Sequence, residues 1–127
     1  MSNSHDTFSF SGRIRSGTHA LRGIIEMLRS QHNAWVHAVA TFCVIVAGGV
    51  FGISNTQWCL LVLVVTIVWV AEGLNTAFEF LCDVASPEFH PLVKKSKDVA
   101  AGAVLLSAVG AVIVGLIIFI PYAIAWL

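Results

Sequence analysis

The sequence predicts an all-α membrane protein, with three transmembrane helices preceded by an amphipathic surface helix. Three observations lead there. Hydrophobic residues make up 57% of the 127 positions and charged residues only 11%, a balance too apolar for an ordinary water-soluble domain. Three apolar runs each reach the ~20 residues that a spanning helix needs. All seven Lys and Arg residues fall in two places, before the first run and between the second and third. The length argues for one domain, residues 1–127. A formal net charge of zero gives no basic field to attract nucleic acid, so no nucleic-acid partner is expected.

The first stretch, MSNSHDTFSFSGR, is polar and lacks the apolar core of a signal peptide. Residues 1–9 are expected to be disordered. Over residues 10–32, Ile14, Leu21, Ile24, Ile25 and Leu28 share one side of a helix, while Arg15, Arg22, Glu26 and Arg29 project elsewhere. Next to membrane spans, this reads as an interfacial helix lying on the bilayer. The first span covers residues 33–53 and carries no Asp, Glu, Lys or Arg. GISNTQ, Gly52 to Gln57, is a short polar turn. The second span covers 58–82. Residues 83–98, DVASPEFHPLVKKSKD, form a polar loop with two prolines that leads into a helix start. The third span covers 99–127, with Pro121 near its far end.

Two further patterns bear on packing. Ala103, Ser107, Ala111 and Gly115 recur every four residues, a spacing that lets helices approach closely in lipid. Three helices bury little by themselves, so oligomerisation is expected. Cys43, Cys59 and Cys82 lie in apolar stretches without metal-ligand spacing and read as packing residues.

Basic residues concentrate on the cytoplasmic side of membrane proteins. Arg13, Arg15, Arg22 and Arg29 precede the first span, and Lys94, Lys95 and Lys97 stand between the second and third. The N-terminus and the second loop are therefore expected in the cytoplasm and the C-terminus outside. Trp58 and Trp126 mark the outer interface and Trp35 the inner one.

The second span holds an anomaly. Glu72, Asn75, Thr76, Glu79 and Asp83 form one polar stripe on an otherwise apolar helix. A carboxylate at membrane depth costs several kcal/mol unless it is paired, wetted or protonated. A buried network that only fixes helix packing is the plainer explanation. Depth favours chemistry. Glu72 stands fourteen residues beyond Trp58, roughly 21 Å of helix rise, in the cytoplasmic half of a core about 30 Å thick. Glu79 and Asp83 then reach the cytoplasmic surface. Few polar groups and no charges lie in the outer half, which argues against an ion path. Lys94, Lys97 and Asp98 share a face at the start of the third span. Lysines beside carboxylates at the mouth of the stripe suit a polyphosphate and its Mg²⁺; taken alone, they also suit plain anchoring at anionic headgroups.

EGLNTAFE, Asp83 and SPEFHPLVKKSKDVAAGAVLL resemble the prokaryotic diacylglycerol kinase and undecaprenol kinase family of small membrane enzymes. The likeness runs without gaps from about Gly23 through the third span. Its signals, E-x-x-N-S/T-A-x-E and K-D-x-x-A/S-A, are specific in combination. The resemblance implies a homotrimer in the bacterial inner membrane that transfers the γ-phosphate of ATP to a lipid alcohol, with Mg²⁺ as cofactor. It implies that Glu72 is the general base, that Glu79 holds metal, and that Asn75 and Asp83 support the site. It places nucleotide contacts at Lys97 and Asp98, and at Glu88, Phe89 and His90 in the loop. The loop sequence is more similar to the undecaprenol kinase side of the family.

Two positions depart from the pattern. In QHNAWVH, Gln31 stands where the family usually has a second metal-binding glutamate. A glutamine offers a carbonyl oxygen to a metal, but no charge. His19 stands where some members have a nucleotide-contacting tyrosine. The Gln31 substitution motivates a competing expectation: a weakened member that binds nucleotide or lipid without efficient turnover.

Overall fold

Residues 9–127 are described by a computed structural model, and among them every regular element is a helix. Four follow in order: α1 (Phe10–Ser30), α2 (His32–Phe51), α3 (Asn55–Ala85) and α4 (Pro91–Ala125). The last three are long and apolar enough to cross a membrane. The expectation of disorder over residues 1–9 falls, up to residue 8, outside the described residues. Ser9 departs from it: its side chain accepts a hydrogen bond from the Gly12 N–H and caps α1.

α1 presents Ile14, Leu21, Ile24 and Ile25 to the outside and buries Met27, which lies over Gly73 of α3. α1 and α2 were expected to meet after residue 32, and the break comes one residue earlier. Gln31 is extended, with φ −117° and ψ 120°, and it alone separates the two helices. Its N–H still bonds to the Met27 carbonyl and closes α1.

At the opposite end the α2–α3 connection is short. Gly52 adopts a left-handed conformation, φ 62°, which terminates α2. Ser54 and Gln57 form a reciprocal capping box that starts α3. Asn55, Thr56 and Gln57, read as turn residues, are therefore helical. The Gln57 Oε1 also accepts a 2.7 Å hydrogen bond from the Tyr122 hydroxyl, tying the end of α4 to the α2–α3 turn. Ile53, Leu61 and Ile118 form the buried core of this end, with Phe51, Trp58, Phe119 and Tyr122 around it. The Trp58 ring edge abuts Gly48, where a Cβ would come within 2.5 Å of the indole.

α3 is the central helix and touches the other three, with α4 along most of its length. The polar connection between them is shorter than the 83–98 expected. α3 runs on to Ala85, and α4 already begins at Pro91. Proline is favoured in the first helical turn because it has no N–H to satisfy there. The His90 Nδ1 accepts the Leu92 N–H and caps it. Asp83 thus belongs to α3, and Lys94, Lys97 and Asp98 to α4. Of the small-residue row, Ser107, Ala111 and Gly115 are half-buried and Ala103 is exposed in the single chain. Large apolar side chains such as Phe42, Leu74 and Ile117 point outward, a surface suited to lipid or a neighbouring helix.

Candidate functional site

Glu72 projects from α3 into the junction with α2 and is 0% exposed. Neither carboxylate oxygen makes a hydrogen bond of ordinary geometry. One polar atom faces it: the Nε2 of His37, on α2, stands 3.3 Å from Oε2. Thr76 does not serve the carboxylate, because its hydroxyl donates to the Glu72 backbone carbonyl at 2.8 Å. His37 is the residue that sequence reasoning passed over. It closes the QHNAWVH stretch, and it is an ionisable side chain inside a span otherwise free of ionisable residues except Cys43. Those two facts were the available signal.

Two turns further along the same face, Glu79 is half-buried and held by two amides. The Gln31 Nε2 donates to Oε2 at 2.9 Å, and the Asn75 Nδ2 donates to Oε1 at 3.3 Å. The one-residue break between α1 and α2 makes this possible, because it brings Gln31 across to α3. Positions 31 and 79, expected to share a metal, are here joined by a hydrogen bond from amide to carboxylate. Among the described residues, no three of His, Cys, Asp and Glu gather as a metal site.

At the charged end, Lys97 Nζ bonds to Asp83 Oδ1 at 2.6 Å across the α3–α4 pair. That hydrogen bond raises the exposed lysine above its ordinary pKa, so it stays charged at neutral pH. Lys94 pairs with Asp98 one turn along α4, at 2.7 Å. Lys97 and Asp98 therefore take different partners. His19 is exposed on α1, and Glu88, Phe89 and His90 are exposed on the connector. None of these four side chains hydrogen-bonds to the carboxylate stripe among the described residues.

Two apolar crevices flank the stripe. One, of about 360 Å³, lies between α2, α3 and α4 and is lined by His37, Ala40, Val44, Val68 and Ala111 among others. The other, of about 600 Å³, lies between α1 and α3 beside Glu26, Trp69 and Thr76. Glu72 itself lines neither crevice: His37, which faces it, lines the first, and Thr76, one turn along α3, lines the second.

Residues 18–119 match the family described as prokaryotic diacylglycerol kinase. The chain is 40% identical over 108 residues to the undecaprenol kinase of Bacillus subtilis (strain 168), covering 85% of this chain and 88% of that protein. It is 36% identical over 104 residues to the diacylglycerol kinase of Synechocystis sp., covering 81% of this chain and 59% of the relative. The diacylglycerol kinase of Escherichia coli (strain K12) is 26% identical over 109 residues, covering 86% and 89% respectively.

Proposed function

The chain belongs to the prokaryotic diacylglycerol kinase family, and on that footing we propose that it transfers the γ-phosphoryl group of ATP to the hydroxyl of a membrane lipid alcohol. It is an integral membrane protein of the lipid-kinase type. Undecaprenol is favoured as the lipid, supported by 40% identity over most of a relative named undecaprenol kinase; diacylglycerol is the alternative.

The observation that carries this reading is Glu72, a wholly buried carboxylate without an ordinary hydrogen bond, whose neighbours His37 and Thr76 line apolar crevices. A carboxylate held within reach of a positioned hydroxyl can act as its general base. Glu72 takes the hydroxyl proton of the lipid. The lipid oxygen forms a bond to the γ-phosphorus, and the bond from that phosphorus to the bridging oxygen breaks, leaving ADP. The protein's part is positioning and charge neutralisation. Lys97 and Lys94 stand where phosphate oxygens need cations, with Asp83 and Asp98 orienting them. Glu88, Phe89 and His90 on the connector, and His19 on α1, complete the nucleotide's surroundings.

Glu79 fits Mg²⁺, which often binds through one or two carboxylates together with substrate phosphates. Gln31 and Asn75 now direct N–H groups at Glu79. Each amide presents its carbonyl oxygen instead after a half-turn about its last side-chain bond, and the donor set then becomes one carboxylate with neutral oxygens. When bound, the ion supplies positive charge to the phosphate oxygens.

The same reading gives a homotrimer in the bacterial inner membrane, N-terminus and α3–α4 connector in the cytoplasm, C-terminus outside. The placement of all seven basic residues either before the first span or between the second and third supports that orientation. A second reading rests on Gln31, whose amide occupies Glu79: nucleotide and lipid bind, and turnover is slow. One experiment separates them. The purified protein in bicelles is incubated with labelled ATP, Mg²⁺ and either undecaprenol or diacylglycerol. Label in one lipid at many turnovers supports the kinase and names its substrate. Nucleotide binding without labelled lipid supports the second reading.

A further inference from the structure

Among the described residues, Glu72 and His37 are the one ionisable pair whose facing polar atoms are buried and make no other bond. The carboxylate is fully buried, and its oxygens are otherwise unbonded. The His37 side chain is 13% exposed, and its Nε2 is buried and otherwise unbonded. The two stand 3.3 Å apart, so a small ring rotation makes an ordinary hydrogen bond. A buried carboxylate with no donor is costly, and the nearby polar side chains point elsewhere. The Asn75 Nδ2 donates to Glu79, and the Asn75 Oδ1, an acceptor, is unbonded. The Thr76 hydroxyl goes to backbone. α4 brings Ala108 and Ala111 to the crevice beside His37, and α1 brings Met27 and Glu26 to the crevice on the other side. Neither helix offers the carboxylate a donor there.

The imidazole is itself held in place. Trp69 meets it edge-on, centroids 6.2 Å apart at 73°. The Trp69 Nε1 donates to Thr41 Oγ1 at 3.0 Å, and the Thr41 hydroxyl donates to the His37 carbonyl at 2.7 Å. The loop of contacts joins His37 and Thr41 of α2 to Trp69 of α3, one turn from Glu72.

We propose that His37 is a positioning residue for Glu72, its Nε2–H orienting the buried carboxylate by a hydrogen bond to Oε2. Oε1 is thereby left to face the lipid hydroxyl and take its proton. Glu72's role as base rests on the kinase reading above; the pairing does not.

Two substitutions isolate the hydrogen bond. His37→Phe keeps a ring against Trp69 and removes the donor. His37→Gln removes the ring and keeps an N–H at similar reach. In the lipid phosphorylation assay, His37→Phe lowers kcat by about tenfold to a hundredfold, with KM for ATP little changed, and His37→Gln recovers most of the loss. The pairing is also read without activity, by thermal unfolding of the wild type, each His37 variant, Glu72→Gln and the doubles. The His37→Phe effect on the unfolding temperature shrinks or reverses in the Glu72→Gln background, because the charge that needed a donor is gone. Equal effects in both backgrounds overturn the proposal, as does a His37→Gln variant as slow as His37→Phe. If the wild type labels no lipid, the kinase reading fails, and the unfolding cycle still decides the pairing.

Discussion

Gln31 reaches across from the break between α1 and α2 to hydrogen-bond Glu79 on α3, Nε2 to Oε2, at 2.9 Å. A carboxylate expected to hold metal is thus quieted by a neutral neighbour. Two glutamates at that distance would repel unless a cation sat between them. The glutamine makes the metal-free site comfortable and so works against metal entry.

Gln31→Glu is therefore expected to lower the Mg²⁺ concentration for half-maximal activity on the order of tenfold. It should also lower the unfolding temperature without Mg²⁺ and recover it with Mg²⁺. Mg²⁺ titrations of activity and of thermal unfolding check both. Identical curves for variant and wild type would remove position 31 from the metal site.

Glu72→Gln is expected to lower lipid phosphorylation by about 10²-fold or more, while the oligomer stays folded. Removing a buried charge relieves a desolvation cost, so the unfolding temperature should hold or rise. Turnover and size-exclusion chromatography in detergent settle the matter; wild-type turnover would end the assignment of Glu72 as base.

Lys97→Met should weaken ATP binding far more than it weakens the fold. The Lys97–Asp83 pair is exposed, and exposed pairs contribute little to stability. The expected result is a KM for ATP raised on the order of tenfold with a nearly unchanged unfolding temperature. A variant that unfolds early with normal KM would make the pair a structural clasp.

Gly48→Ala is expected to destabilise the end of the bundle remote from the site. A Cβ there meets the Trp58 ring at 2.5 Å, and forcing a methyl group into a filled contact costs about 1–3 kcal/mol. The unfolding temperature should fall, with KM for ATP unchanged. Replacing Trp58 by a smaller apolar residue in the same chain should recover part of the loss.

Much of this was legible in the sequence because bilayers impose long apolar helices and leave few alternatives. The three spans and the acidic face of α3 follow from spacing alone. What was not legible came from contacts between helices. The break at Gln31 carries neither Gly nor Pro to announce it, so nothing marked the residue as the joint between α1 and α2. The partner of Glu72 lies 35 positions earlier in the chain, and no periodicity relates the two. A helix start within 83–98 is legible from the shared face of Lys94, Lys97 and Asp98, but its first residue is not: Pro91 and the His90 cap begin α4 among polar residues.

That early start has a consequence for the bilayer. α4 continues through 35 residues, roughly 52 Å, against a hydrocarbon thickness of about 30 Å. α3, at 31 residues, also exceeds that thickness, and Lys97 pairs with Asp83 near the ends of the two helices. The distance from that charged pair to Glu72 is a fixed length of helix that the surrounding lipid does not adjust. A thicker membrane submerges the pair and a thinner one lifts Glu72 towards water. The enzyme therefore carries its own depth gauge, and its turnover should follow the acyl length of the lipids around it as well as the alcohol it receives.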